Sequence, residues 1–246
     1  MDQSTHNTVR REGTKHWWFV GRKQIFAKLL KNYLPKSNLN ILDLGCGSGN
    51  MYSVLSKYGK LTGVDNSGEV LAYAQKIGYE KIVKANALDL PLNNNEYDLV
   101  VAVDLIEHID DENKFINEIF RVMKPGGYLF ITTAAFDSLW SRLDELSHHK
   151  RRYTKVSLMK SLSRPGWQLE KIRYYNVFLF WPIVIKRMID KMLSNKSNDA
   201  SDLYDLRTPP AIINNLLENI LISEKYFIGI PFPAGVSLMA IVKKNG

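Results

Sequence analysis

The chain reads as an α/β protein with a doubly wound, Rossmann-like sheet, and three features say so. Short apolar strands alternate with helical segments five times before residue 136. The first strand runs directly into a glycine-rich turn, Gly45-Cys46-Gly47-Ser48-Gly49, that opens a helix. The fourth, YDLVVAVD over 97–104, is apolar nearly throughout, as a parallel strand covered on both faces must be.

The elements follow in order. Residues 21–34 put Ile25, Leu29 and Leu30 at helical spacing, and Pro35 closes that helix. LNILDLG (39–45) is the first strand, and 49–58 is a helix with Val54 and Leu55 inward. KLTGVD (60–65) is the second strand; Ser67 stands where it can cap a helix that stops at Gly78. KIVKA (81–85) is the third strand, and 113–124 is a helix ended by Pro125-Gly126-Gly127. YLFITTAA (128–135) is the fifth strand. The rhythm then changes. Thr154 caps a short helix to about Ser163, while 167–175 and 235–244 are strands of a hairpin split by about sixty residues. That insertion holds an aromatic, apolar stretch, a polar linker from Ser194 to Asp205, and a helix after Pro209-Pro210. It is expected to carry a cap or a binding surface.

Composition sets the outer bounds. With 246 residues, 45% of them hydrophobic and 24% charged, residues 1–246 can bury the core of a single domain. Within it, 1–38 is an N-terminal cap region, 39–135 the ligand-binding core, and 136–234 the substrate region with its helical insertion. A single cysteine excludes an internal disulfide framework and a Cys-rich zinc site, so no metal site is expected. Met1 to Arg11 is polar and lacks the apolar stretch of a secretory signal. The longest purely apolar run, Val177 to Ile185, has nine residues, about half a bilayer span. The expectation is a cytoplasmic protein, with peripheral contact at the inner membrane surface left open. Net charge is +8, divided between an acidic middle (−6 over 41–139) and a basic stretch (+9 over 140–196). Two surfaces with different partners, or simply two solvated faces, account for that division.

The turn at 45–49 carries the chemistry. Glycines at alternating positions let the backbone turn sharply and approach a ligand closely. The helix that follows presents its amino-terminal N–H groups there. Asp65, closing the second strand, is placed to accept hydrogen bonds from both hydroxyls of a ribose. A dinucleotide site would want the spacing G-x-G-x-x-G. Here the spacing is G-x-G-x-G, with Asp43 two residues before the first glycine. An acid at that point disfavours a pyrophosphate and suits an ammonium group, so S-adenosyl-L-methionine (SAM) is favoured over a nicotinamide dinucleotide.

At this level the chain resembles the class I SAM-dependent methyltransferases, through DLGCGSGN, GVD, YDLVVAVDLIEHI and RVMKPGG in sequence order. HWWFVGRK (16–23), HHKRRYT (148–154) and the terminal IPFPAGVSLMAIVKK make it similar to a subfamily that often accompanies glycan or lipid-linked biosynthesis. The resemblance implies seven strands with the last antiparallel, SAM as cofactor and S-adenosyl-L-homocysteine (SAH) as product. Matching positions imply that Asp43, Gly45, Cys46 and Gly47 shape the methionine end, and that Asp65 binds the ribose with Asn66 beside the adenine. Asn86, with Ala87, stands where the family usually has an Asp that accepts from the adenine amino group; an uncharged amide there implies weaker binding. Asp89, three residues on, is an alternative acceptor. Asp104 faces the methionine and methyl group, and Arg22 is matched to the SAM carboxylate. Residues 16–22 fold over the cofactor in the resembling subfamily, which places Trp18 at the substrate; Trp17, Trp18 and Phe19 otherwise anchor the first helix in the core.

Transfer to a hydroxyl would need a base of near-neutral pKa. His149 matches the subfamily's usual histidine and is the first candidate, followed by His108 and by His148. The alternatives are a surface pair for 148–149 and a helix cap for His108. Glu107 is read as structural. Arg151, Arg152 and Tyr153, after Lys150, form a substrate-side group suited to an anionic acceptor, or the solvated start of a helix. The expected activity is methyl transfer, as O-methylation, to a small-molecule or lipid- or glycan-linked acceptor. RNA (ribose or base) methylation and a non-catalytic SAM-binding role are the alternatives. Nucleic acid is disfavoured, because the segment after strand four lacks the Asn/Asp-Pro-Pro-aromatic loop of resembling base methyltransferases and Cys46 lies in the cofactor turn.

Overall fold

The structure, a computed structural model, describes residues 3–34, 38–193 and 207–245. Seven strands form one sheet: β1 (Leu39–Leu44), β2 (Gly59–Asp65), β3 (Lys81–Lys84), β4 (Tyr97–Val103), β5 (Met123–Ala134), β6 (Trp167–Tyr175) and β7 (Ser237–Lys244). Their order is β3-β2-β1-β4-β5-β7-β6, and β7 runs antiparallel to both of its neighbours. This is the expected doubly wound arrangement with an inverted last strand. The β6–β7 hairpin also forms as expected, with the long insertion between its arms.

Strand alternation divides the core into two layers. Ile41, Leu99, Val101, Phe130, Met239 and Ile241 point to one face, where Ile25, Phe26, Leu29 and Leu30 of α2 (Trp17–Tyr33) cover them. Leu42, Leu44, Val100, Ala102, Leu129 and Ile131 point to the other. There Phe115, Ile116, Ile119 and Val122 of α5 (Glu112–Val122) and Leu158 and Leu162 of α7 (Lys155–Leu162) close the layer. Burying each large apolar side chain contributes about 1.5–3 kcal/mol, so the central strands must be apolar on both sides.

Several boundaries differ from the sequence expectation, each for a local reason. An additional helix, α1 (Gln3–Glu12), precedes α2, which starts at Trp17 because the His16 ring accepts a hydrogen bond from Trp18 N. Pro35 lies outside the described residues, as does the polar linker from Ser194 to Asp205. The helix expected over 49–58 is one turn, α3 (Tyr52–Leu55), because the backbone is still turning at Gly49 (φ +84°); Val54 and Leu55 are buried as expected. Ser67 occupies the N-cap of α4 (Gly68–Ile77), but its side chain makes no cap bond. α5 ends at Val122, and Pro125-Gly126-Gly127 falls inside β5, where it shifts the register against β4. Thr154 does cap α7, accepting from Ser157 N at 3.1 Å. The insertion contains α8 (Phe180–Leu193) and α9 (Ala211–Ser223), and the short α6 (Arg142–Leu146) precedes α7. Among the described residues no helix is long and apolar enough to cross a membrane.

Candidate active site

The strand order reverses between β1 and β4, and a ligand crevice is expected outside the carboxyl ends of the strands at such a point. A cavity of about 1020 Å³ lies there. One half is lined by residues 43–48 at the end of β1, 65–67 at the end of β2 and 85–87 after β3. The other half is lined by Asp104, Glu107 and His108 after β4, and by Ala134, Asn176, Val236 and Ser237 at the ends of β5, β6 and β7. His16 at the cap of α2, with Trp17 to Phe19 and Arg22 of that helix, closes it from above, with Leu179, Pro182 and Ile183 of the α8 segment and 207–210 ahead of α9. Two polar clasps hold that roof together. Thr208 donates to Glu12, and Asn214 accepts from Trp17 N (2.9 Å) while donating to Lys15 O (3.0 Å).

In the first half, the turn is built to receive a ligand. Gly45 and Gly47 have φ of +74° and +53°, and nothing lies within 4 Å of where a Cβ on Gly47 would stand. Asp65 accepts from Gly47 N and Ser67 N, each at 3.0 Å, and so ties the turn to the end of β2. Asp43 is buried and accepts from the Tyr79 hydroxyl at 2.5 Å. Burial pushes its pKa up to about 7, and the nearby Asp65 charge adds to this against the Tyr79 bond. Cys46 is buried, and its thiol is pushed upward chiefly by that burial, so it is inert as a nucleophile. Asn86 sits exposed on the rim, its side-chain oxygen accepting from Leu88 N at 2.9 Å. Asp43, Gly45, Cys46, Gly47, Asp65, Asn66, Asn86, Ala87, Asp104 and Arg22 all line the cavity. Arg22 differs in one respect from its expected role: its guanidinium is ion-paired with Asp104 and packs beside Trp18 and Phe19. Asp104 itself has φ +51° and is pinned by Thr132, which donates to its carboxylate at 2.7 Å.

In the second half, a histidine–carboxylate pair dominates. His149 Nδ1 lies 2.8 Å from Asp144 Oδ1, and Asp144 also takes two hydrogen bonds from Arg152 and two from Ser141. Burial opposes ionisation of Asp144, but the bonds from His149 and Arg152 prevail and hold its pKa below the usual carboxylate range. A carboxylate at Nδ1 fixes the tautomer that leaves Nε2 as an acceptor. His108 packs edge-on against His149, ring centroids 4.7 Å apart, and burial with the neighbouring imidazole drives its pKa down to about 4. His108 is therefore neutral at physiological pH. The cap of α5 is Asp111, which accepts from Lys114 N, and not His108. Glu107 is buried, and its pKa is pushed up to about 7, first by burial and then by Asp104. One of its oxygens accepts weakly from Ala134 N (3.3 Å) and the other makes no well-formed hydrogen bond.

Three expected site residues, the candidate base His148 and the substrate-side Arg151 and Tyr153, are not brought to this cavity. His148 is exposed and turned away in a φ +57° conformation. Arg151 pairs with Glu112 of α5, and Tyr153 is buried in the core, its main chain forming a β-bridge with Ala135. Lys150 pairs with Asp110 and Arg152 with Asp144, so the basic run is engaged in internal ion pairs, where an anionic acceptor had been expected. Arg152 and Trp18 do line the cavity, and Trp18 stacks on Tyr175 at 5.6 Å. Asp144 and Asn176 went unrecognised in the sequence. Asp144 had a local signal, an acid five residues before the candidate histidine; Asn176 had none, since only the fold carries it to the crevice.

Fold and crevice together define a ligand site at the switch point of a doubly wound sheet, and residues 42–131 match the family described as Methyltransferase domain. This segment is a methyltransferase domain of the class I, SAM-dependent kind. Similar proteins include norajmaline N-methyltransferase of Rauvolfia serpentina, 34% identical over 49% of this chain and 44% of that protein. The ubiquinone biosynthesis O-methyltransferase of Hydrogenovibrio crunogenus is 32% identical over 43% of this chain and 47% of its own. The chain spans about half the length of the curated relatives it matches. In fold it is similar to the plantazolicin methyltransferase BpumL, solved with SAH (TM-score 0.60, 19% identity, 98% of this chain and 89% of that one). SAM is accordingly the cofactor of this domain, and the open glycine cradle with Asp65 beside it fits that molecule.

Proposed function

We propose that the whole chain is a SAM-dependent methyltransferase that methylates a hydroxyl of a small-molecule or lipid-linked acceptor. The observation that carries this reading is the Asp144–His149 pair on the same cavity as the glycine cradle. When bound, SAM supplies an electrophilic methyl group on a sulfonium, already a good leaving group. The protein's own work is then alignment, exclusion of water and removal of one proton. Asp65, Asn66 and Asn86 would hold the nucleoside end; Asp43 and the 45–47 backbone would hold the amino-acid end. Arg22 would meet the carboxylate by exchanging its partner Asp104. His149 Nε2 would take the acceptor proton, with Asp144 stabilising the imidazolium that results. A neutral amine can attack with its protons still in place, whereas a hydroxyl needs its proton removed during the transfer, so the pair favours oxygen over nitrogen. The roof of residues 16–19 and Arg22, the α8 segment and 207–210 would lie over the acceptor and exclude water.

The test is paired. Calorimetric titration with SAM and SAH fixes the cofactor, and incubation of methyl-labelled SAM with a metabolite extract looks for label in a product. His149→Gln should retain SAH affinity and lose product formation. Label transfer undiminished in that variant would remove His149 from the chemistry.

The exposed outer face of α8 favours the lipid-linked form of the acceptor. Trp181, Ile185, Met188 and Met192 are 55–82% exposed beside Lys186 and Lys191, as on a helix resting at an anionic interface. Cosedimentation with phosphatidylglycerol vesicles at low salt checks this; a protein left wholly in the supernatant sinks it.

A further inference from the structure

The acceptor half of the cavity contains a polar group that the chemistry above leaves unused. Asn176 follows β6, lines the cavity and is only 1% exposed, yet its side-chain carbonyl oxygen has no hydrogen-bond partner. A buried acceptor without a partner is costly, and native proteins retain one where something else uses it. The backbone around it is held with care. Asn176 N donates to Glu224 Oε2 at 2.8 Å, its carbonyl accepts from Val236 N at 3.3 Å, and its φ is +55°, in the left-handed region that few side chains other than Asn and Asp adopt. Glu224 also accepts from Val177 N and Phe178 N, so one buried carboxylate fixes the whole turn after β6. The side chain is thus presented on a rigid mount with its oxygen unsatisfied.

We propose that Asn176 is a specificity-determining residue that accepts a hydrogen bond from a second, un-ionised hydroxyl of the acceptor. Its surroundings suit that role. Ser237, also buried, and the Trp18 ring lie on the same cavity, so a ring could rest against the indole while its hydroxyl reaches Asn176. The basic run near His149 is already paired internally, which points to a neutral polar contact here. This inference rests on the methyltransferase reading. It adds that the acceptor carries at least two hydroxyls, on an aromatic or a saturated ring.

The variant Asn176→Gly isolates the side chain, because glycine keeps the positive φ and both main-chain hydrogen bonds. The probes, applied to SAH-saturated protein and followed by ligand-observed NMR, are phenol against resorcinol and cyclohexanol against 1,3-cyclohexanediol. In the native protein the diol of one pair should bind about tenfold tighter than its mono-ol, consistent with the contribution of one hydrogen bond to a neutral buried acceptor. In Asn176→Gly that ratio should fall to about one, while mono-ol and SAH affinities stay unchanged. The pair that shows the preference tells an aromatic acceptor from a saturated one. An equal ratio in both proteins, or no probe bound while SAH binds, overturns the proposal. Failure of SAH itself to bind overturns the methyltransferase reading instead.

Discussion

The two halves of the cavity are built on different principles. On the cofactor side, residues 43–48, 65–67 and 85–87 are turns at the ends of three adjacent parallel strands, and main-chain geometry does most of the work. Asp65 organises that side by accepting two backbone N–H groups, and the cradle is complete within a short span of sequence. On the acceptor side, the groups are the side chains of Asp104, Glu107, Asp144, His149 and Asn176, which come from three separate segments, with Asp104 held by Thr132 and His149 by Asp144. The strands end in the left-handed region there: Asp104 and Asn176 both have positive φ at their carboxyl ends. A site made of main chain tolerates variation in side chains, whereas a site made of side chains changes specificity with single substitutions.

The sharpest way to break this contrast is to remove one group from each half. His149→Gln should lower turnover by about a thousandfold, within the range of general-base catalysis, with SAH affinity within twofold of the native protein. If cofactor affinity fell in parallel, the halves would not be separable. Glu107→Gln probes the acceptor side through stability. The folded pKa of Glu107, about 7, lies above its unfolded value near 4.5. The stability it contributes is therefore fully present below pH 4.5 and is lost as pH rises through 7. The loss amounts to about 3 kcal/mol by linkage. The Gln variant should gain on the native protein by that order between pH 4.5 and 8 in urea unfolding. Parallel curves across that window would show that the carboxyl is not held neutral.

What could be read from sequence follows the same division. The fold and the cofactor cradle were legible because strand alternation, the G-x-G-x-G turn and Asp65 are local patterns whose spacing is dictated by backbone geometry. His149 and His108 were legible as candidates, His149 because it matches the resembling subfamily's histidine and His108 because it follows the fourth strand. Their partners were not. Asp144 is part of the capping box of α6 with Ser141, so its sequence context explains it without reference to His149. Glu107 looked structural because burial of an acid is not visible in a linear chain. The Lys150-Arg151-Arg152 run looked like an anion site, yet Asp110, Glu112 and Asp144 approach it from other elements and neutralise it. Charge runs read from sequence omit the partners that tertiary structure supplies.

The cofactor side offers two smaller tests. Asp65→Ala removes the acceptor for Gly47 N and Ser67 N and the expected ribose contact together. SAH affinity measured by calorimetry should fall about fiftyfold, in line with the loss of charge-assisted hydrogen bonds. A loss below threefold would mean that the turn holds its shape unaided.

Asn86→Asp is the smallest change and runs in the opposite direction. The Asn86 oxygen already accepts from Leu88 N, and an aspartate there can keep that bond with one oxygen while presenting the other at the rim. The site is exposed, so solvent screens the added charge and limits the gain. A three- to fivefold tightening for SAH, about 1 kcal/mol or less, is the expected result. Adenosine, which shares the nucleoside but lacks the amino-acid end, should tighten by the same factor. A gain for SAH alone would place the effect at the methionine end, and the division of labour between β1 and β3 would have to be redrawn.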